Sequence, residues 1–183
     1  MSKKTYLINF ISGPSSGKSC MAALVFAKLK IKGYIAEYVQ EYAKILVWTK
    51  DFDTLNNQYY VTKKQYELFK EISGNVDFIV TDGTILHGLY YNRHNKDNIS
   101  NIEKTEKLIL EKNNEFNNIN IFLDRGNIKY ETQGRIQTED EAKEIDIILK
   151  HMLKQNGISY KIFLSDIKTV DEIVDYIISC TKE

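Results

Sequence analysis

The segment Ser12 to Ser19, SGPSSGKS, holds the residue types that grip a phosphate: small residues whose backbone amides can converge on an anion, then a lysine and a hydroxyl. It matches the phosphate-loop pattern GxxxxGK[ST] at Gly17, Lys18 and Ser19, with Ser12 in place of the usual first glycine. Gly13 follows at once and is expected to supply a residue free to take positive φ. In such a loop the N–H groups and the start of the next helix face the anion, the lysine adds charge between the outer phosphates, and the hydroxyl serves magnesium. The expected nucleotide-binding set is therefore Gly13, Pro14, Ser15, Ser16, Gly17, Lys18, Ser19 and Cys20, with Lys18 also catalytic and ATP and magnesium as the cofactors. A glycine- and serine-rich turn also arises as a plain helix cap, but the lysine and serine that close this one favour the anion.

Asp82 is the second half of that chemistry. It ends the apolar run VDFIVT, where an acidic group can hold magnesium directly or through water, so Ser19 and Asp82 form the expected metal pair. Asp82 also fits as the N-cap of a helix near Ile85, and the two roles are compatible.

These residues need elements that bring them together, and the order along the chain supplies them. Thr5 to Ile11 (TYLINFI) is a β-rich apolar run feeding the loop, and Cys20 to Ile31 has helical spacing until Gly33 stops it. Tyr34 to Val39 predicts a second strand, with helices over Glu41 to Trp48 and Leu55 to Ile72. Val76 to Thr81 predicts a third strand, buried on both faces. Helices follow at Ile85 to Tyr91 and Ile102 to Phe116, then a strand at Asn118 to Leu123. Beyond a polar connection from Asp124 to Gln137, Thr138 opens a helix with an acidic first turn running to about Asn156. Ser159 to Leu164 and Val170 to Ser179 give the last strand and helix. Strands alternating with helices imply a five-stranded parallel sheet covered on both faces, with ligands at the carboxyl ends of the strands.

The 183 residues suit one domain spanning 1–183, and 43% apolar with 27% charged residues is a globular balance. Net charge is zero, so no global field draws the chain to nucleic acid or anionic lipid, although a local basic groove stays open. No apolar stretch is long enough for a membrane span, and the start of the chain lacks signal-peptide organisation, so a cytoplasmic location is expected, in the host cytoplasm if the chain is phage-encoded. Cys20 and Cys180 stand far apart without metal-ligand spacing and are expected to be buried thiols. Of the 25 basic residues only Arg93, Arg125 and Arg135 are arginine. Against so much lysine, these are candidates for bidentate phosphate contacts, with surface ion pairs as the alternative.

SGPSSGKS, EYVQEYAKILVW, FIVTDG and QGRIQTEDEAKEID together resemble the small P-loop kinases common in bacteriophages. That group is similar to the nicotinamide riboside kinase domain, to thymidylate-kinase-like enzymes, and to phage kinases that phosphorylate 5-hydroxymethyluracil within DNA. The resemblance spans nearly the whole chain, though only the phosphate loop is specific by itself. It implies a P-loop NTPase three-layer α/β/α sandwich that transfers the γ-phosphate of ATP to a nucleoside or nucleotide-type acceptor, or to modified DNA. An ATPase or an ATP-binding interaction protein is the reading from another class, and a homodimer stays open.

Carried over, the resemblance places an acceptor-side carboxylate at Glu41, with Glu37 upstream read as a solvated strand residue. It places a lid over about 124–137, where Arg125 and Arg135 flank a loop bounded by Gly126 and Gly134 and would stabilise charge on the transferring oxygens. Asp124 and Arg93 rank behind them. Tyr42, Trp48, Tyr90 and Tyr91 offer a stacking wall for a base or simply core aromatics. His87, His94 and His151 lack partners at ligand spacing and read as structural or exposed. NKDN at Asn95 to Asn98 sets its aspartate one place early for guanine reading.

Overall fold

A computed structural model describes residues 3–126, 128–133 and 136–182. Five parallel strands, β1 (Tyr6–Ile11), β2 (Ala36–Val39), β3 (Phe78–Thr81), β4 (Asn117–Asp124) and β5 (Lys161–Leu164), lie in the order β2-β3-β1-β4-β5. β1 is the centre, with Tyr6 opposite both Phe78 and Asn117. The chain leaves β1 toward a distant strand, β2, and returns through β3 to the neighbouring place. Such a reversal opens a crevice at the carboxyl ends of the strands.

The pleat of β1 divides the core in two. Ile8 and Phe10 face α1 (Lys18–Ile31) and α8 (Val170–Ser179), where Met21, Val25, Leu29, Ile173 and Ile177 close over them. Leu7 and Ile11 point to the other side, covered by α4 (Gln58–Ile72), α5 (His87–His94), α6 (Ile102–Asn113) and α7 (Glu139–Gln155) through Phe69, Leu89, Ile109 and Leu149. The result is helix, sheet, helix in three layers. Asn9, buried on β1, bonds across the strands through one end of its amide: its Nδ2 donates to Asn118 Oδ1 at 2.9 Å and to Asn120 Oδ1 at 3.0 Å.

Local chemistry sets the helix boundaries. Thr138 and Glu141 make a capping box that starts α7, as its acidic first turn predicts. The segment expected as one helix over Leu55 to Ile72 is broken, because the Asn57 side chain accepts from Tyr60 N and caps α4 afresh. A single turn, α3 (Phe52–Leu55), stands before it, and α2 (Tyr42–Thr49) begins one residue after Glu41. The cysteine expectation fails for Cys20, which is exposed on α1, and holds only in part for Cys180, which is half-buried against the core just past α8. No helix among the described residues is long and apolar enough to cross a membrane.

Candidate functional site

The loop from β1 to α1 is shaped by two left-handed residues, Ser15 at φ 57° and Gly17 at φ 85°. Gly13 is not among the positive-φ residues, contrary to expectation. It is needed for close approach instead: a Cβ there would meet Ala142 O at 2.7 Å and the Arg125 guanidinium at 2.8 Å. Ser12 tolerates replacing the usual glycine because its backbone is unstrained and its hydroxyl bonds Ser16 within the loop. Gly17 ends the loop without a side-chain cap on α1, which leaves that helix start to an outside anion. Lys18 lies folded over the loop, donating to Ser12 O at 2.9 Å and Gly13 O at 2.7 Å.

Ser19 donates to Asp82 Oδ2, and the Glu41 amide donates to Asp82 Oδ1 at 3.1 Å. Asp82 is buried at 1% exposure and does not cap α5, whose N-cap is Leu86. Burial and the Asp82 carboxylate, with Glu41 behind it, push the Tyr38 phenol well above its usual value. Hydroxyl and carboxylate oxygens from Ser19 and Asp82 suit a hard cation that keeps waters and phosphate oxygens as further ligands. No group of three or more His, Cys, Asp or Glu side chains placed to hold a metal occurs among the described residues. Lys44 was not anticipated; one turn after Glu41 on the same face, it donates to Ser19 Oγ at 3.2 Å.

Of these residues, Ser19, Glu41 and Lys44 border a cavity of about 960 Å³. Its floor is the phosphate loop, one wall is Glu41, Lys44 and Phe52, and the roof includes Ile128, Lys129 and Glu131 from the expected lid segment. The lid segment touches the loop directly, since Glu131 N donates to Ser15 Oγ at 2.7 Å. A further wall is α5, which presents His87, Tyr90, Tyr91 and His94. Of the expected aromatic wall, Tyr90 and Tyr91 line the cavity, while Trp48 is exposed at 57% and the Tyr42 backbone bonds Gln65.

The arginines divide. Arg125 bonds Asp146, donates to Pro14 O at 2.7 Å and to Ala142 O at 3.0 Å, and so ties the loop to α7. Asp146 completes the clasp by accepting from Gly13 N at 2.5 Å. Arg93 is held in an exposed ion pair with Glu106, away from the loop. Arg135 lies outside the described residues. Glu37 and Asp124 are exposed, as a solvated strand residue and a strand end.

His87, expected to be structural or exposed, is buried at the edge of the phosphate loop. The imidazole is 6% exposed, bonds the Ser12 backbone, and has its pKa held well below the usual value by burial and by the Lys18 charge. Its Nε2 is buried without a partner. The signal was the spacing HGLYYNRH, which puts two histidines and two tyrosines on one side of a helix.

A family model described as an AAA domain matches residues 7–169. No curated protein sequence matches the chain. The solved structure of Mycobacterium tuberculosis APS kinase in complex with AMPPNP and APS is similar, with a TM-score of 0.51 and 11% identity over 98% of this chain and 99% of that one. Deoxyadenosine kinase from M. mycoides, solved with the products dCMP and a flexible dCDP, has a TM-score of 0.59 and 18% identity, covering 94% of this chain and 99% of that one. With the sheet order and the loop after β1, these likenesses give the fold as the three-layer P-loop NTPase sandwich.

Proposed function

The chain belongs to the AAA domain family, and we propose that within it this protein is an ATP-dependent phosphotransferase acting on a nucleoside or nucleotide-type acceptor. The observation that carries the reading is the placement of Glu41. Its amide is bonded to Asp82, the partner of Ser19, and it stands on the wall of a roofed cavity whose floor is the phosphate loop. An ATPase needs room for one water beside the γ-phosphate. A cavity of about 960 Å³ leaves space for a second organic molecule.

The steps follow from the residues. The loop amides and the α1 N-terminus receive the phosphates, and Lys18 leaves the Ser12 and Gly13 carbonyls to bind the outer phosphate oxygens. Ser19 and Asp82 would hold magnesium, whose chemistry here is to neutralise charge on the phosphate oxygens. Glu41 accepts the proton of the acceptor hydroxyl as its oxygen bonds the γ-phosphorus and the bond to the bridging oxygen breaks, releasing ADP. Lys44, within reach of Ser19, adds positive charge on the same side. The lid segment over Ser15 excludes water that would otherwise take the phosphoryl group. Support of a weaker kind is that both similar structures are kinases by name, one of them of a deoxynucleoside.

The test is transfer of labelled γ-phosphate from ATP across nicotinamide riboside, nucleosides, nucleoside monophosphates and 5-hydroxymethyluracil DNA. Label on any of these supports the reading. Label released only as inorganic phosphate, or ATP bound without turnover, replaces it with an ATPase or an ATP-binding interaction protein.

A further inference from the structure

We propose that His87 is a specificity-determining residue of the acceptor site, its Nε2 taking a hydrogen bond from an uncharged hydroxyl or amino group of a nucleoside-type acceptor. The inference rests on the reading of the cavity as an acceptor site and narrows it, because a phosphate group at neutral pH is mostly the dianion, which accepts hydrogen bonds and makes a poor partner for that nitrogen.

Three observations converge on this ring. First, Nε2 is an orphan: it is buried and has no partner among the described residues. A buried polar atom without a partner is costly, and native chains keep few of them except where a ligand or water completes the pairing. Second, the ring is held neutral: it is buried against the Ser12 backbone and beside Lys18, whose charge disfavours the imidazolium, so one ring nitrogen carries a lone pair, here assigned to the unpartnered Nε2. Third, the ring belongs to a stripe. His87, Tyr90, Tyr91 and His94 follow helical spacing along α5 and all border the cavity.

The stripe has the chemistry of a flat partner. Tyr90 and His94 stack with ring centroids 4.5 Å apart at an interplanar angle of 10°, and Tyr91 packs edge-on to Tyr90. Asn56, Gln58 and Asn95 line the same cavity, with Asn95 Nδ2 donating to Asn56 Oδ1 at 3.0 Å and Gln58 Nε2 to Leu55 O at 2.8 Å. The loop side of His87 is where change is expected on nucleotide binding. Lys18, now on the Ser12 and Gly13 carbonyls, turns to the phosphates, and the acceptor enters a site in which His87 offers the neutral acceptor atom.

The experiment uses the full chain with nitrogen-15-labelled histidine, saturated with a non-hydrolysable ATP analogue and magnesium. The common deoxynucleosides, nicotinamide riboside and the corresponding deoxynucleoside monophosphates are titrated in turn. With three histidines in the chain, the His87 signals are those missing from His87→Asn. The expected result is that a nucleoside binds and moves the Nε2 resonance upfield, as for a nitrogen that has gained a donor. His87→Asn, which keeps an amide near the Ser12 bond but nothing at Nε2, should weaken nucleoside binding about tenfold or more. Affinity for the ATP analogue should stay within about threefold, and His87→Gln, with an oxygen near Nε2, should recover most of the loss. The proposal is overturned if a ligand binds with Nε2 unmoved, if no nucleoside binds, or if His87→Asn loses the ATP analogue as strongly as the nucleoside. Transfer assays separate the two claims. A nucleoside that shifts Nε2 yet takes no phosphate ends the kinase reading and leaves the His87 contact. A nucleoside that is phosphorylated with Nε2 unmoved and the same KM in His87→Asn does the reverse.

Discussion

The backbone of Glu41 rests on Gly83: a methyl group at Gly83 would come within 2.3 Å of the Glu41 Cα. No rotamer change relieves such a contact, because the obstacle is main chain, so the end of β3 and the start of α2 can be this close only with glycine at position 83. Gly83→Ala therefore moves Glu41 while leaving every loop residue intact. Phosphate transfer should fall by about tenfold to a hundredfold, the cost of roughly an ångström of misplacement, with ATP affinity nearly unchanged. Turnover and nucleotide binding measured side by side decide it, and full activity in the variant would show that Glu41 need not sit where it does.

Lys18 and Glu41 should separate kinetically. Lys18→Ala removes the charge aimed at the outer phosphates and should cost at least about a hundredfold in turnover, together with ATP affinity. Glu41→Gln keeps the shape and removes the base, so kcat should drop by about a hundredfold or more with ATP affinity within about threefold. Steady-state kinetics with ATP and acceptor varied independently tell these apart. Unchanged turnover in Glu41→Gln would remove that residue from the chemistry.

The clasp between Asp146 and Arg125 is expected to hold the loop ready. Both side chains are 13% exposed, and between them they bond Gly13 N, Pro14 O and Ala142 O. Asp146→Ala leaves a guanidinium and the Gly13 amide without their partner and should cost about 2–3 kcal/mol of stability. ATP affinity should fall as well, since the loop would then have to be ordered by the ligand. Denaturant unfolding and ATP titration check both effects. A variant as stable as the parent, with unaltered ATP binding, would make the clasp incidental.

How far the sequence reached depends on what each feature needs. The loop, the strand ends and the capping box at Thr138 are local patterns, and the chain order of strands and helices led to the three layers. The broken helix at Asn57 was local too, but an apolar rhythm running through it hid the cap. What stayed hidden was tertiary. Asp146 lies in the middle of a helix with nothing nearby to mark it, and its role appears only when α7 packs on Gly13. Arg125 carried a clear signal of type, an arginine among lysines, but type alone did not say that its donors would meet backbone carbonyls. Gly13 was expected for its torsional freedom and turned out to be needed for lack of a side chain. Lys44 was readable in principle, one turn from Glu41, once the helix face was fixed.

His87 should leave a mark on stability that does not depend on any ligand. Its folded pKa is well below the ordinary value because burial and the Lys18 charge disfavour the imidazolium, whereas in the unfolded chain it protonates near about 6.5. Below that pH the unfolded state holds a proton that the folded state refuses, so stability falls as pH drops from there toward the folded pKa, and this group contributes no pH dependence above about 7.5. His87→Gln cannot take up that proton in either state. Melting temperatures followed from about pH 7.5 to about pH 5.5 should therefore decline more steeply for the parent than for the variant, whatever their difference at the upper end. Parallel curves would mean that the imidazole protonates as readily inside the fold as outside it, and that the space around it is wetter than its 6% exposure implies.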